Sequence, residues 1–354
     1  MVERESDIAS VRRRPGAYLG SVGPGGLGAL VLEVVSNALD HVIIGRASRI
    51  EARFHPDGSV TVTDDGPGIP VTESPSGVSF LAEMLTTMHR TPTADGHAPH
   101  VHLSIGVGLG PVSAVCRSVV VETTTDGARY RQAFSQGRAV SSPQEVGPAG
   151  DVVGTSVRLL PDPEIFGDAA FDIPVLRDRL RTLAWLTPGL TVAVDGEAFG
   201  PADDLSELFH ERFGPGWPVL HGSPFLLSGT QGASVASVAL GWKDPCVQRE
   251  FRSFCKFREM PEGGTHILGV EEGLRLVFGA APMVDLMAGL VGVLHVTMLD
   301  PDVGGPTRGR LDSPEAIWLV ADTIAGGLPA QLERSPGFAE ALRRRVPGRP
   351  AGPP

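Results

Sequence analysis

Cysteine is scarce in this sequence: Cys116, Cys246 and Cys255 are the only three in 354 residues, an odd number with no C-x-x-C spacing. That count disfavours both a disulfide framework and a cysteine-ligated zinc site. Positive charge is also in short supply. The formal net charge of -11 argues against a broad electrostatic footprint on nucleic acid, so any contact with DNA is expected to be indirect. Two short basic patches remain, Arg12 to Arg14 and Arg343 to Arg345. Each could touch phosphate or simply be a solvated face or a helix end. There is no long like-charge block and no low-complexity tract, which excludes a disordered tail protein. The start, Met1 to Asp7, is charged and lacks an apolar signal core, and no apolar run reads as long enough to span a membrane. The expected compartment is the cytoplasm.

What is present is ample for folding. Hydrophobic residues make up 42% of the chain, enough for two ordinary domains, and 45 glycines with 31 prolines predict many turns. Apolar residues from Leu27 to Val42 recur at helical spacing and predict one long helix ending near Gly45. Alternation over Ile50 to His55 and Ser59 to Asp64, around Pro56-Asp57-Gly58, predicts a hairpin. A helix is expected over Val78 to Met88, followed by an aperiodic Arg90 to Pro99 loop that could serve as a lid. Further strands are expected at Ser118 to Thr124, Ala128 to Phe134, Thr155 to Leu160 and Leu190 to Val194, with a helix at Val175 to Leu186. A second α/β unit follows a boundary near Gly200-Pro201. Its pattern predicts helices at Leu205 to Arg212, from Glu262-Gly-Gly-Thr-His266 and from Pro314 to Leu332, with strands within Phe225 to Trp242 and at Gly292 to Leu299.

Glu33, Asn37 and Asp40 stand at i, i+4 and i+7 of the long helix, so all three project from one face. Two carboxylates and an amide oxygen in a row suit a Mg²⁺-nucleotide site, because Mg²⁺ takes hard oxygen ligands and only one or two from protein. Asn37 is the natural metal ligand and Glu33 the base that orients and deprotonates water. An ordinary solvated polar face would read the same way. Asp64-Asp65-Gly66-Pro67-Gly68-Ile69-Pro70 closes the hairpin with glycines that permit close backbone approach, and Asp64 could accept a hydrogen bond from an adenine amino group. A plain Asp-Gly turn is the simpler alternative. Gly106-Val107-Gly108-Leu109-Gly110 opens a further helix whose N–H groups could cradle phosphates, and Thr155, after Gly154, could reach the nucleotide or be only a strand residue.

Taken in order, Glu-x-x-x-Asn-Ala-x-Asp, Asp-x-Gly-x-Gly-Ile-Pro, Gly-Val-Gly-Leu and Gly-Thr resemble the ATP-binding fold shared by gyrase, heat-shock chaperones, histidine kinases and mismatch-repair ATPases, the GHKL or Bergerat fold. Within it the chain most resembles the B subunits of gyrase and topoisomerase IV, through Arg14-Pro-Gly-Ala-Tyr-Leu-Gly-Ser21, Pro161-Asp-Pro-Glu-Ile-Phe166 and Glu262-Gly-Gly-Thr-His266. The resemblance runs from about Ile8 to about Pro336. It implies an α+β chain: a GHKL ATP-binding α/β sandwich over 1–200, a ribosomal-S5-like transducer over 201–336 and a basic, Pro-rich tail over 337–354. It implies Glu33 as general base, Asn37 as Mg²⁺ ligand, Asp64 as adenine reader and Thr155 as a water-mediated base contact. Gly106 and Gly108 would line the phosphates, and Asp40, Gly66, Gly68, Ile69, Pro70 and Val107 would complete the nucleotide site. The implied cofactors are ATP and Mg²⁺. The implied partners are a second copy, joined on nucleotide binding, and an A-type or cleavage subunit of a type II topoisomerase.

The pattern also departs from the family. Where a Gln-Thr-Lys loop would reach the γ-phosphate, this chain has Pro306-Thr307-Arg308, which loses an amide and an N–H but keeps a cation in Arg308. His102-Leu103-Ser104-Ile105 stands where Gly-Gly-Leu-His is usual, and Ala29 where a histidine is usual. His41 and Pro67 replace a salt-bridged acid and arginine together, which reads as repacking. The resemblance implies that a partner-wrapping N-terminal arm is nearly absent and that, with no Asp-x-Asp cluster after Arg343-Arg-Arg345, this polypeptide does not cleave DNA by itself. Two functions follow: a slowly hydrolysing gyrase-B-like ATPase module that couples nucleotide to dimer closure, or a non-catalytic paralogue acting as a nucleotide-gated regulator. A kinase or chaperone relative is less consistent with the Arg14-Pro-Gly and Gly-Gly-Thr-His segments, and His266 reads as structural.

Overall fold

The structure is a computed structural model that describes residues 7–88, 103, 106–150, 153–214, 220–243, 248–279, 283–305 and 308–344. The chain divides into two compact units, Met1–Pro201 and Ala202–Pro354. Cys246, the Arg90 to Pro99 loop, His102, Ser104, Ile105, Pro306 and Thr307 lie outside the described residues.

The first unit opens with α1 (Asp7–Arg13), α2 (Pro15–Leu19) and α3 (Pro24–Ile43), then β1 (Arg49–Phe54), β2 (Val60–Asp64), α4 (Phe80–Thr86) and α5 (Leu109–Ala114). It continues through β3 (Cys116–Thr125), β4 (Ala128–Ser135), β5 (Arg138–Ala139), β6 (Gln144–Pro148), β7 (Thr155–Pro161), α6 (Pro163–Phe166), α7 (Ile173–Leu186), β8 (Thr191–Val194) and β9 (Glu197–Phe199). The strands form one nine-stranded sheet in the order β5-β4-β3-β7-β2-β1-β8-β9, with β6 paired to β4. Among the described residues, only β1 and β8 run parallel, and every other pair in the sheet is antiparallel.

Helix α3 starts with Pro24 in its first turn, where a missing N–H costs nothing, and packs on β1, β2 and α5. It is buried nearly all round, from Leu30 and Val35 to Leu39, as expected of a helix apolar on most faces. This corrects the sequence reading in one respect. α3 is long and apolar enough to cross a membrane by length and composition, but 83% of that window is buried inside the protein, so it is a core helix. The basic patch also resolves in part. Arg12 donates to Asp162 at 2.7 Å and to the Ala114 carbonyl at 2.9 Å, tying α1 to the start of α6 instead of facing phosphate. Asp162 feels the pull of burial upward, yet the hydrogen bonds of Arg12, the Glu164 N–H and Gln136 hold it below the usual carboxylate range.

The second unit comprises α8 (Ser206–Phe213), β10 (Phe225–Gln231), β11 (Ser234–Trp242), β12 (Glu250–Cys255), β13 (Arg258–Glu259), α9 (Thr265–Phe278), α10 (Met283–Met287), β14 (Leu290–Thr297), β15 (Val303–Gly304), β16 (Arg310–Leu311), α11 (Glu315–Glu333) and α12 (Pro336–Arg344). Five strands in the order β10-β11-β14-β12-β13 make its sheet, with β12 parallel to β14. Helices α9 and α11 lie against each other, α11 on β10 and β11 and α9 on β14. They meet closely because α9 carries Gly269 and Gly273 at the contact; a Cβ on Gly273 would stand 2.8 Å from the Ile324 Cβ. The segment read as a tail from 337 is helical through Arg344. Phe338, Ala339 and Leu342 are buried in the unit's core, and Phe338 sits 5.6 Å from both Phe225 and Trp242. Net basic composition hid this, because only three apolar residues spaced along one helical face are needed to dock it.

Candidate active site

Strand alternation explains how Asp64 comes to be buried. In β2 the inward row is Val60, Val62 and Asp64, so the same period that buries two valines carries the carboxylate inside at the strand's end. Asp64 is 9% exposed. Burial pushes its pKa up to about 6, against the opposing pull of hydrogen bonds from the Gly66 and Thr155 N–H groups. The Gly66 N–H donates to Asp64 Oδ1 at 2.8 Å.

Two neighbouring strands repeat the pattern. β7 buries Thr155, Val157 and Leu159, and β3 buries Val119, Val121 and Thr123. Register then sets Asp64 beside Thr155 and Thr155 beside Thr123. A polar row, Thr123-Thr155-Asp64, thus ends three apolar rows on one face of the sheet. Thr123 was not among the residues singled out from sequence. Its hydroxyl accepts the Ile69 N–H at 2.6 Å and donates to the Ile69 carbonyl at 3.2 Å, which fixes the turn after β2. Gly68 makes that approach possible: its φ is 80°, and a Cβ there would fall 2.0 Å from the Thr124 carbonyl oxygen. Pro70 accepts the Leu81 N–H at 3.1 Å and joins the turn to α4. Asp65 points elsewhere; it accepts the Ser48 and Arg49 N–H groups at 2.8 Å each.

Helix α3 lies over this end of the sheet. Glu33 and Asp40 are buried on it, at 4% and 2% exposed, while Asn37 is half-buried and its side-chain amide takes no hydrogen-bond partner among the described residues. His41 packs against Gly66, its Cβ and Cδ2 lying 3.5 and 3.6 Å from where a glycine Cβ would be. Glu33 has a more specific arrangement. Its Oε1 accepts the Gly106 N–H at 2.8 Å and its Oε2 the Gly108 N–H at 2.9 Å. Gly106 and Gly108 have φ of 77° and 81°, left-handed conformations that present both N–H groups to one carboxylate. One turn further along, Ser36 Oγ accepts the Leu103 N–H at 3.1 Å, and Arg179 of α7 donates to the Leu103 carbonyl at 3.0 Å. Ser36 carries no sequence signal beyond being a small polar residue in an apolar helix, as Thr123 carries none beyond being a strand threonine.

Glu33, Asn37, Asp40, Asp64, Gly66, Gly68, Ile69, Pro70, Gly106, Val107, Gly108 and Thr155 all fall in the first unit, where Glu33 meets Gly106 and Gly108, and Asp64 meets Gly66 and Thr155. Arg308 belongs to the second unit, in a left-handed conformation with φ of 54° beside the β15–β16 pair.

Comparison with known proteins agrees with this geometry. Residues 24–163 match the family described as histidine kinase-, DNA gyrase B-, and HSP90-like ATPase. The DNA gyrase B protein of Thermus thermophilus is 32% identical over 363 residues, covering 96% of this chain and 57% of that protein. The chain thus spans little more than half the length of such curated relatives. Among solved structures, the 43K ATPase domain of Thermus thermophilus gyrase B, in complex with an aminocoumarin, superposes with a TM-score of 0.82 at 30% identity, covering 96% of this chain and 93% of that one. The corresponding gyrase B structure from Myxococcus xanthus gives 0.78 at 25% identity, covering 96% and 99%. On its polar row, its buried helix and these likenesses together, the chain belongs to the gyrase-B-type ATPases of the GHKL superfamily, with their α+β fold.

Proposed function

We propose that the first unit binds ATP with Mg²⁺ and hydrolyses it slowly, and that the second unit transmits nucleotide state to a dimer. The observation that carries this reading is the buried Asp64, without a salt bridge among the described residues, in the same unit as a glycine turn held by Glu33. A carboxylate whose burial is offset only by N–H groups gains from a ligand N–H, which is what an adenine amino group offers. Thr155, beside it in register, supplies a hydroxyl at the same edge.

The donor set fits the remaining parts. Among the described residues, a Cβ on Gly108 would meet nothing within 4 Å. Asn37 offers an amide oxygen without a protein partner among the described residues, and it would hold Mg²⁺. The ion, when bound, would draw charge from phosphate oxygens. Glu33 would take a proton from water as the water oxygen bonds to the γ-phosphorus and the bridging oxygen leaves with the bonding electrons. Arg308 keeps a cation where the family has lysine, and it would pair with the γ-phosphate.

By the same reasoning the chain would form a nucleotide-dependent homodimer in the cytoplasm, serve with an A-type or cleavage subunit, and meet DNA only indirectly. Titration calorimetry with ATP and a non-hydrolysable analogue, beside steady-state turnover, tests the proposal. Both nucleotides should bind, and Glu33→Ala should cut turnover by about a hundredfold or more. Turnover unchanged in that variant would remove Glu33 from the mechanism. A second reading, a nucleotide-gated regulator without catalysis, is favoured by one observation: both Glu33 oxygens are already hydrogen-bonded. Tight binding with no turnover in the natural chain would establish it.

A further inference from the structure

We infer that Glu33 is an internal competitor of the nucleotide's phosphates: its carboxylate occupies the same two N–H groups that phosphate must take, so phosphate binding is what releases the base. This inference rests on the nucleotide reading proposed above. The geometry is that of an anion held in a backbone nest. Two N–H groups, from Gly106 and Gly108, converge on one carboxylate at 2.8 and 2.9 Å, one to each oxygen. Each N–H has a single hydrogen, so it cannot serve Glu33 and a phosphate oxygen at full strength together. Glu33 is 4% exposed, and its two glycine bonds stand in for the water it has lost.

The anchorage of the turn separates two functions. Leu103 is held by Ser36 and Arg179, neither of which touches Glu33's oxygens. Losing the Glu33 bonds therefore leaves the chain before the glycines attached to α3 and α7. Among the described residues a Cβ on Gly108 would meet nothing within 4 Å, so no described side chain beyond its chain neighbours blocks an oxyanion at that end of the nest. While Glu33 is clamped, one acceptor site on each carboxylate oxygen is taken by a backbone N–H. When phosphate takes an N–H, a carboxylate oxygen is freed at the moment a water must be activated. Ground-state affinity is lowered by the competition, and the base is exposed only in the loaded site.

Glu33→Asp tests this sharply, because it keeps the charge but is one methylene shorter and cannot span both N–H groups. Affinities of adenosine and of a non-hydrolysable ATP analogue are measured by titration calorimetry in the natural chain, Glu33→Asp and Glu33→Gln. Adenosine should bind all three alike, and the triphosphate analogue should bind both variants on the order of tenfold more tightly than the natural chain. Tightening in Glu33→Gln alone would mean simple charge repulsion and would overturn the competition, as would no tightening in either. Failure of adenosine to bind the natural chain would instead sink the nucleotide reading itself. Amide exchange on glycine-labelled protein gives an independent measure if a variant folds poorly. Gly106 and Gly108 should be protected in the nucleotide-free natural chain and should exchange faster in Glu33→Gln. Equal exchange in the two proteins would overturn the clamp.

Discussion

Among the described residues, the buried carboxylates, Glu33, Asp40, Asp64 and Asp162, all lie in the first unit, whereas the second unit buries histidines and no acid. His266 and His295 are 0% and 8% exposed, and His221 stacks on Phe225 with ring centroids 4.2 Å apart. Burial lowers the pKa of each of the three to about 4. For His221 and His295 it prevails over a backbone hydrogen bond that pulls the other way. The contrast shows what buried polarity serves in each place. In the second unit the three histidines are kept neutral at pH 7, and the one buried cation among the described residues, Lys243, lies over the Phe213 ring. In the first, Asp162 is matched by Arg12, but Asp64 is left with N–H groups and no salt bridge among the described residues. A buried acid without a salt bridge costs the fold, and the proposed adenine contact would give it a ligand N–H to accept.

Replacing Asp64 by Ala should have the largest effect and would break the comparison if it failed. Adenosine and ATP affinity should fall by about a hundredfold or more, because a ligand N–H would lose a buried acceptor. Stability should not fall with it. Asp64's folded pKa of about 6 lies above the 3.8 of an unperturbed carboxyl, so between those values the folded state binds more protons and loses stability as pH rises. At pH 7 the ionised group costs on the order of 3 kcal/mol. Thermal melts at pH 7 should therefore show Asp64→Ala as stable as the natural chain or more so, and a large drop would make Asp64 structural.

The second unit should respond to pH in the opposite sense. With folded pKa values near 4 against 6.5, the unfolded chain binds more protons across that window, and stability is lost as pH falls through it. Hydrogen exchange at β14 and α9 should report a loss of a few kcal/mol between pH 7 and 5. His266→Leu should flatten that slope by roughly 1–2 kcal/mol, because neither ring nitrogen of His266 has a hydrogen-bond partner among the described residues. An unchanged slope would show that His266 keeps its ordinary titration.

Thr123→Val should give the smallest effect and sharpens the view that the polar row is a working edge. Losing the hydroxyl that holds Ile69 should cost about 1 kcal/mol in stability and weaken adenosine binding about three- to tenfold. Affinity unchanged in titration calorimetry would show that the turn holds its shape without Thr123.

Much of this was legible before folding. Helical spacing put Glu33, Asn37 and Asp40 on one face of α3, strand alternation put Asp64 at the end of an apolar row, and motif order pointed to the family. Other parts left no local mark. Thr123 looks like any strand threonine until β3 is known to pair with β7 and β7 with β2. Ser36 looks like a helix residue until Leu103 is brought to it. Arg12 looked available for phosphate until Asp162, distant in sequence, was found against it at 2.7 Å. The helix Pro336–Arg344 was hidden by its charge, because its docking depends on Phe225 and Trp242 being already assembled.

The sequence by itself determined the faces: which side chains share a helix row or a strand row follows from the 3.6 and 2.0 periods, which are local and need no partner. Only the tertiary structure decided the meetings. That Gly106 and Gly108 give their N–H groups to Glu33, and that residues 123, 155 and 64 stand side by side, depends on sheet order and register between segments far apart in the chain. Those are set by the packing of the whole apolar core and not by any one segment's pattern.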